Sequence, residues 1–216
     1  HHTMSFQISL RKLIRTLGVA FDFSVHDYFS VCPFVTLTTA TGAYCGEPGP
    51  LDCNRCIASR IKDHPVDILN WRENSRWLFE ESERVIAPSQ DVMTRIKRYF
   101  GDAKVFVVPH DALTQPLIVA PVKIAKIRVD EPLKILMIGT MVTHKGSQVV
   151  KEVLTRTREL GFNLKFHLIG GWDQSEKTPD DLTLTGPYQE NEFSKHFDAF
   201  SPDLVWFAGQ CPETYS

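Results

Sequence analysis

The sequence contains no long hydrophobic run and no marked excess of either charge. No stretch approaches the roughly 18 consecutive apolar residues needed to span a membrane, so no transmembrane segment is predicted. The 24 basic and 26 acidic residues are interspersed and give a formal net charge of −2, which argues against nucleic acid as a partner. The start also lacks a charged segment followed by an apolar one, the pattern of a secretory signal.

The common phosphate-binding fingerprints are absent as well. A Walker loop places lysine after glycine, whereas here the order is Lys145-Gly146-Ser147. A dinucleotide site requires G-x-G-x-x-G after a strand, and Gly139-Thr140-Met141 does not supply it. There is no Asp-x-Asp pair to predict a divalent metal on a diphosphate. The sequence predicts no organic cofactor.

A strand–turn–helix segment, Leu133 to Leu160, is the clearest feature that is present. Its apolar run Ile135–Ile138 is typical of a strand buried on both faces. A polar turn follows, and the spacing of the apolar residues after Gly146 predicts a helix. Free N–H groups and the dipole at a helix start favour an anion, so the segment predicts a phosphate site with Lys145 as its cation. The alternative is a surface lysine in an ordinary turn between a strand and a helix.

Strand and helix patterns alternate along the chain, which predicts an α/β fold with a doubly wound parallel sheet. Strands are predicted at residues 21–25, 84–89, 105–108, 135–138, 164–171, 182–185 and 204–207, and helices at 8–17, 67–83, 90–100 and 191–200. Residues 113–132 contain three prolines and few strand or helix signals. We therefore predict an interdomain connection at 113–132, between an N-terminal domain (1–112) and a C-terminal domain (133–216).

An irregular insertion, Cys32 to Cys56, contains four of the five cysteines, and two of them form the pair Cys53-x-x-Cys56. Two thiolates at this spacing can share a tetrahedral metal ion. A segment of this length with little apolar content needs a staple, which favours a structural zinc held by all four cysteines. The predicted ligands are Cys32, Cys45, Cys53 and Cys56. Disulfides are the competing interpretation, although nothing in the sequence indicates an oxidising compartment.

Together these motifs resemble family 4 of the retaining glycosyltransferases, which have the GT-B fold of two Rossmann-like domains facing a cleft. Gly139 and Lys145-Gly146 match the family's G-R-x-x-x-x-K-G form, with Thr140 in place of the arginine. The stretch from His26 to Pro33, with Tyr44-Cys45-Gly46 and the later cysteine pair, is similar to a bacterial surface-polysaccharide subset. The resemblance covers residues 13–216 in order. It implies that both domains are incomplete here and that the chain is a fragment of a longer protein.

The resemblance implies transfer of a sugar from a nucleotide-diphosphate donor to a carbohydrate or glycolipid acceptor. The implied donor-binding residues are Gly139, Thr140, Lys145, Gly146, Gly170 and Gly186. His26, which follows a strand of the first domain, would face the donor sugar; its alternative is a local hydrogen bond to Asp27 or a carbonyl group. Glu213 matches the first glutamate of an E-x7-E motif that contacts the sugar; its alternative is a lone exposed glutamate.

Two other kinds of function stay open. One is a non-catalytic module that binds nucleotide sugars, which the replacement of the family's arginine by Thr140 makes credible. The other is a zinc-ribbon interaction protein, with the α/β elements as its scaffold. For the glycosyltransferase we expect a cytoplasmic location, including peripheral contact with the inner face of a membrane. We expect the chain as given to bind a donor poorly and not to turn it over.

Overall fold

A computed structural model describes residues 9–62, 66–101, 103–109 and 130–214. Its strands are β1 (Asp22–Ser24), β2 (Arg84–Ala87), β3 (Val105–Val107), β4 (Leu133–Ile138), β5 (Leu164–Ile169), β6 (Leu182–Leu184) and β7 (Leu204–Val205). Its helices are α1 (Leu10–Leu17), α2 (Pro50–Arg60), α3 (Ile68–Ser75), α4 (Trp77–Glu80), α5 (Gln90–Phe100), α6 (Ser147–Glu159) and α7 (Phe193–Phe200). All pairings among these seven strands are parallel, so the predicted α/β class with parallel sheets is confirmed.

The described residues fall into two units. Unit 1 comprises residues 9–39, 44–62, 66–101, 103–109 and 212–214, and unit 2 comprises residues 40–43 and 130–211. Most of the predicted connection, 113–129, lies outside the described residues, and the predicted domain limits stay a prediction. No helix among the described residues is both long enough and apolar enough to cross a membrane.

Unit 1 is built on a three-stranded sheet in the order β1-β2-β3. Helix α5 follows β2 because Ser89 caps it, accepting a hydrogen bond from the Val92 N–H at 3.2 Å, and because Gly101 ends it. Buried aliphatic and aromatic side chains from the sheet, α4 and α5 form one core. In this core the rings of Phe79 and Phe100 stack with their centroids 3.9 Å apart.

The structure corrects two predicted elements of unit 1. The insertion is irregular up to Gly49, but a helix, α2, begins at Pro50 and contains both Cys53 and Cys56. Proline is favoured in the first helical turn, where its missing N–H would have no partner anyway. The helix predicted for residues 67–83 is divided into α3, capped by the Asp67 carboxylate, and the short α4, with Arg76 between them.

A buried polar network joins the insertion to α5. The Glu47 side chain has no exposed area, and it accepts hydrogen bonds from the hydroxyls of Tyr44 (2.5 Å) and Tyr99 (2.8 Å). It also forms ion pairs with Arg95 and, at 3.3 Å, with Arg98. Burial opposes the charge, but the tyrosine hydrogen bonds and the two arginines outweigh it and hold the pKa of Glu47 below its usual range. Glu47 is therefore a charged anchor for the insertion.

Unit 2 contains a four-stranded sheet in the order β6-β5-β4-β7. The chain moves outward from β4 through β5 to β6 and then returns to the opposite side of β4 with β7. The order of strands therefore reverses between β4 and β7, the kind of switch point at which open α/β sheets bind ligands. Helix α6 covers the sheet with its buried side chains Val150 and Leu154, which pack with those of β4 and β5.

Candidate functional site

Three glycine turns meet at the carboxyl edge of the unit 2 sheet. Gly139 follows β4, Gly170 follows β5 and Gly186 lies two residues after β6. The Gly139 N–H donates to the Ile169 carbonyl at 2.9 Å, and the Gly186 N–H donates to the Gly170 carbonyl at 3.0 Å. Gly170 has φ +138°, and a Cβ there would overlap the Gly139 carbonyl. This close approach of two backbones requires glycine at position 170.

These turns border a cavity of about 950 Å³. This volume lies at the upper end of the range of small-molecule pockets, which is roughly 300–1,000 Å³. The predicted donor-binding residues that line it are Gly139, Thr140, Gly170 and Gly186. The other lining residues are Val142, Gly171, Trp172, Asp173, Gln174, Glu176, Thr178, Leu184, Pro187 and Tyr188.

Polar and aromatic side chains on one wall of the cavity were not predicted. The segments after β4 and β5 stay paired, since the Met141 N–H donates to Gly171 at 2.8 Å and the Asp173 N–H donates to Met141 at 3.0 Å. This pairing places Trp172 and Asp173 on the cavity wall. Hydrogen bonds from the Ser175 hydroxyl and N–H hold the pKa of Asp173 below its usual range. Asp173 is therefore an ionised acceptor at neutral pH.

Two further cavity residues have distinct chemistry. The Glu176 carboxylate accepts a hydrogen bond from the Lys151 ammonium at 2.6 Å, and this ion pair offsets its negative charge. Tyr188 is half-buried, and its ring lies 6.3 Å from both Phe193 and His196, centroid to centroid. An aromatic ring held against a helix in this way presents a flat apolar surface to a planar ligand. In the sequence, the signal that could have identified Glu176 and Tyr188 was their position shortly after the predicted glycine turns.

Lys145 belongs to the loop that borders the cavity but is not one of the lining residues. It ends a short 3₁₀ helix, Thr143–Lys145, and its side chain is exposed. Gly146, with φ +90°, caps α6, and a Cβ there would overlap the Ala208 carbonyl. Ala208 follows β7, so the start of α6 is located at the switch point between β4 and β7. The same loop supplies Thr140 and Val142 to the cavity.

His26 and the segment containing Glu213 are close together in unit 1. His26 is exposed and lies two residues after β1, in line with the position expected of it. Its carbonyl oxygen accepts a hydrogen bond from the Thr214 hydroxyl, next to Glu213 in the chain. The Asp27 carboxylate accepts from the Phe29 N–H at 2.8 Å, a local turn that fixes the backbone after His26. The roles of His26 and Glu213 stay predictions.

The four cysteines predicted to bind zinc are half-buried free thiols in unit 1. Burial raises the pKa of the Cys32 thiol to about 11. Cys32 and Cys45 pack against the same hydrophobic core of unit 1. Among the described residues, no three His, Cys, Asp or Glu side chains are already arranged to hold a metal ion.

Comparisons with known proteins give structural likenesses but show no family. No protein-family model matches the chain, and no curated protein matches it. Among solved structures, the crystal structure of TarM, a glycosyltransferase, is similar with a TM-score of 0.45 and 16% sequence identity. The likeness covers 72% of this chain and 30% of TarM, so the chain spans less than a third of TarM's length. A likeness at this level carries no inference about function.

Proposed function

We propose that unit 2 binds the nucleotide diphosphate of a nucleotide sugar, and that the protein transfers the sugar to an acceptor hydroxyl with retention of configuration. The observation that carries the proposal is the cavity bordered by three glycine turns at the carboxyl edge of the sheet, beside the start of α6. Its size and its mixture of backbone, aromatic and acidic surface suit a nucleoside.

The cavity would hold the nucleoside. The ring of Tyr188 offers a face on which a base can stack, a contact that tolerates any base. The carboxylates of Asp173 and Glu176 accept hydrogen bonds, which suits the hydroxyls of a ribose. The glycine turns bring backbone close to the ligand without side chains between them.

The start of α6 would hold the diphosphate. Helix N–H groups and the helix dipole favour an anion there, and Lys145 adds a mobile positive charge. Negative charge grows on the diphosphate as the bond to the sugar breaks, so donors already in place stabilise the transition state. Thr140, on the cavity wall, occupies the position of the second cation in the family that the sequence resembles. We expect the donor diphosphate to bind more weakly with threonine than with a cationic residue at this position.

In this proposal His26 and Glu213 contact the donor sugar. The acceptor is a carbohydrate or a glycolipid in polysaccharide synthesis. These assignments rest on the resemblance in sequence alone. A non-catalytic nucleotide-sugar module would use the same cavity. The difference between the two functions is turnover.

The first experiment is a thermal-shift screen of nucleoside diphosphates on this chain. A ligand that binds only the folded state at 100 times its dissociation constant adds about 2.7 kcal/mol of stability, which is a measurable rise in midpoint. The nucleotide selected is then supplied as its sugar conjugates to the complete protein, with release of the diphosphate followed over time. Binding with release and retained configuration supports a transferase, whereas binding without release supports the module. No shift with any nucleotide diphosphate would overturn both.

A further inference from the structure

The proposed function does not use the four cysteines Cys32, Cys45, Cys53 and Cys56, here called the cysteine cluster. They come from three separate segments of unit 1: the turn after β1, the loop before α2, and α2 itself. Each is half-buried and free. Hydrogen bonds connect these segments. The adjacent residues Glu47 and Pro48 contact the sulfurs of Cys45 and Cys53, and Arg72 donates both to the carbonyl next to Cys32, that of Val31, and to the Cys53 sulfur. The fold therefore brings the three segments into one region of unit 1.

Hydrogen-bond donors face two of these sulfurs. The Glu47 N–H donates to Cys45 at 3.4 Å. The Arg72 guanidinium lies 3.8 Å from the Cys53 sulfur. Contacts of this kind orient the thiolate ligands of metal ions.

Helix α2 presents two of the four sulfurs. Cys53 and Cys56 are three residues apart, so their side chains lie on one face of the helix. In the metal-free protein the Cys53 thiol donates to the Pro48 carbonyl at 3.4 Å. A metal ion would replace that proton.

The backbone between the sulfurs needs stabilisation from outside itself. Three of its non-glycine residues have positive φ angles: Val35 at 40°, Leu37 at 54° and Glu47 at 50°. A non-glycine residue in this conformation is strained and persists where its surroundings hold it. The described part of residues 25–49 contains no helix or strand, and its pairing is limited to a bridge between Thr38 and Tyr44. A cross-link at the cysteine cluster would offset this strain.

We propose that the cysteine cluster binds one Zn²⁺ through its four thiolates and thereby holds the loop before α2 onto that helix. Four sulfur ligands suit a tetrahedral Zn²⁺ in a closed structural site. Since no three suitable side chains of the described residues already surround a common point, binding rotates the cysteine side chains toward the metal. Two disulfides are the competing use of the same four sulfurs.

The test is metal analysis of the whole chain, purified under reducing conditions without chelator. We expect about one zinc per chain, with sulfur-only ligation in the X-ray absorption spectrum. Cys53→Ser and Cys56→Ser should each lose the metal. The matched control is Cys211→Ser, which removes the fifth cysteine, in unit 2, and should keep one zinc.

A second measurement covers the case in which the cysteine variants do not fold. Reduced metal-free wild-type chain is titrated with Co²⁺, which reports tetrahedral thiolate ligation by its visible absorption, and Zn²⁺ should displace it at one equivalent. Absence of both zinc and the cobalt spectrum would overturn the proposal. So would a disulfide within the cluster in freshly isolated protein, or equal zinc content in the wild type and in a folded Cys53→Ser variant.

Discussion

Replacing Glu47 by glutamine tests how the insertion is held on α5. Glutamine keeps the shape of the side chain and one acceptor oxygen, but it removes the charge that faces Arg95 and Arg98. The Arg95 side chain is 17% exposed and keeps a contact with Asp91 at 2.7 Å. Breaking a buried ion pair costs about 3–5 kcal/mol, and the remaining partner of Arg95 favours the lower end, about 3 kcal/mol.

Hydrogen exchange at the amides of α5 measures this loss within unit 1 alone. A decrease of about 3 kcal/mol in local stability accelerates exchange by roughly a hundredfold, because each 1.4 kcal/mol corresponds to a factor of ten. The matched control is Glu73→Gln, since the Glu73 side chain is 67% exposed and pairs with Arg76 in a surface contact worth about 0–1 kcal/mol. Equal exchange in Glu47→Gln and in the control would refute the claim that this buried charge anchors the insertion.

The same residue predicts a dependence on pH. The hydrogen bonds and arginines hold the pKa of Glu47 below its ordinary value of 4.5, so the folded state favours the ionised form. The resulting stability is complete above about pH 4.5 and is lost as the pH falls through the lower pKa of the folded protein. Protection of the α5 amides, corrected for the intrinsic dependence of amide exchange on pH, should therefore decrease in acid in the wild type, and less so in Glu47→Gln. An equal acid response in the two proteins would contradict this assignment.

The cavity yields three further predictions. Gly170→Ala should weaken nucleotide binding by at least tenfold and lower the melting temperature of unit 2, because the added Cβ would overlap the Gly139 carbonyl. Gly161→Ala is the control, since Gly161 also has a positive φ but a Cβ there would meet nothing within 4 Å. Thr140→Arg should tighten binding of a diphosphate in calorimetry, by about 1.5–3 kcal/mol if the guanidinium reaches it, and unchanged affinity would exclude that geometry. Tyr188→Leu should reduce affinity for nucleotides with little regard to the base, at about 1–3 kcal/mol for one lost stacking contact, whereas loss confined to one base would indicate hydrogen-bonded recognition.

Local signals explain why several elements were predictable from sequence. Ser89 and Gly101 delimit α5 because both ends are determined by residues with strong capping preferences. Helix α2 was not predicted because the glycines and prolines before it indicate turns. Pro50 was therefore not recognised as a first helical residue. The break between α3 and α4 at Arg76 was not predicted because no glycine or proline marks it in the sequence.

The candidate site was predictable in part for the same reason. Glycines after buried strands mark the places where backbones approach one another, and four of the six predicted donor residues line the cavity. Trp172 and Tyr188 join them through pairing between distant strands, which no local pattern encodes. Glu47 was missed because its partners on α5 lie about 50 residues away in sequence.

Calorimetric titration of the selected nucleoside diphosphate and its monophosphate into the wild type and Lys145→Ala tests the central claim most directly. If the Lys145 ammonium meets the second phosphate, the variant should lose about 1.5–3 kcal/mol toward the diphosphate and little toward the monophosphate. Lys165→Ala, an exposed lysine of β5 remote in sequence from the loop, should bind both ligands as the wild type does. Diphosphate affinity in Lys145→Ala within twofold of the wild type would contradict the account.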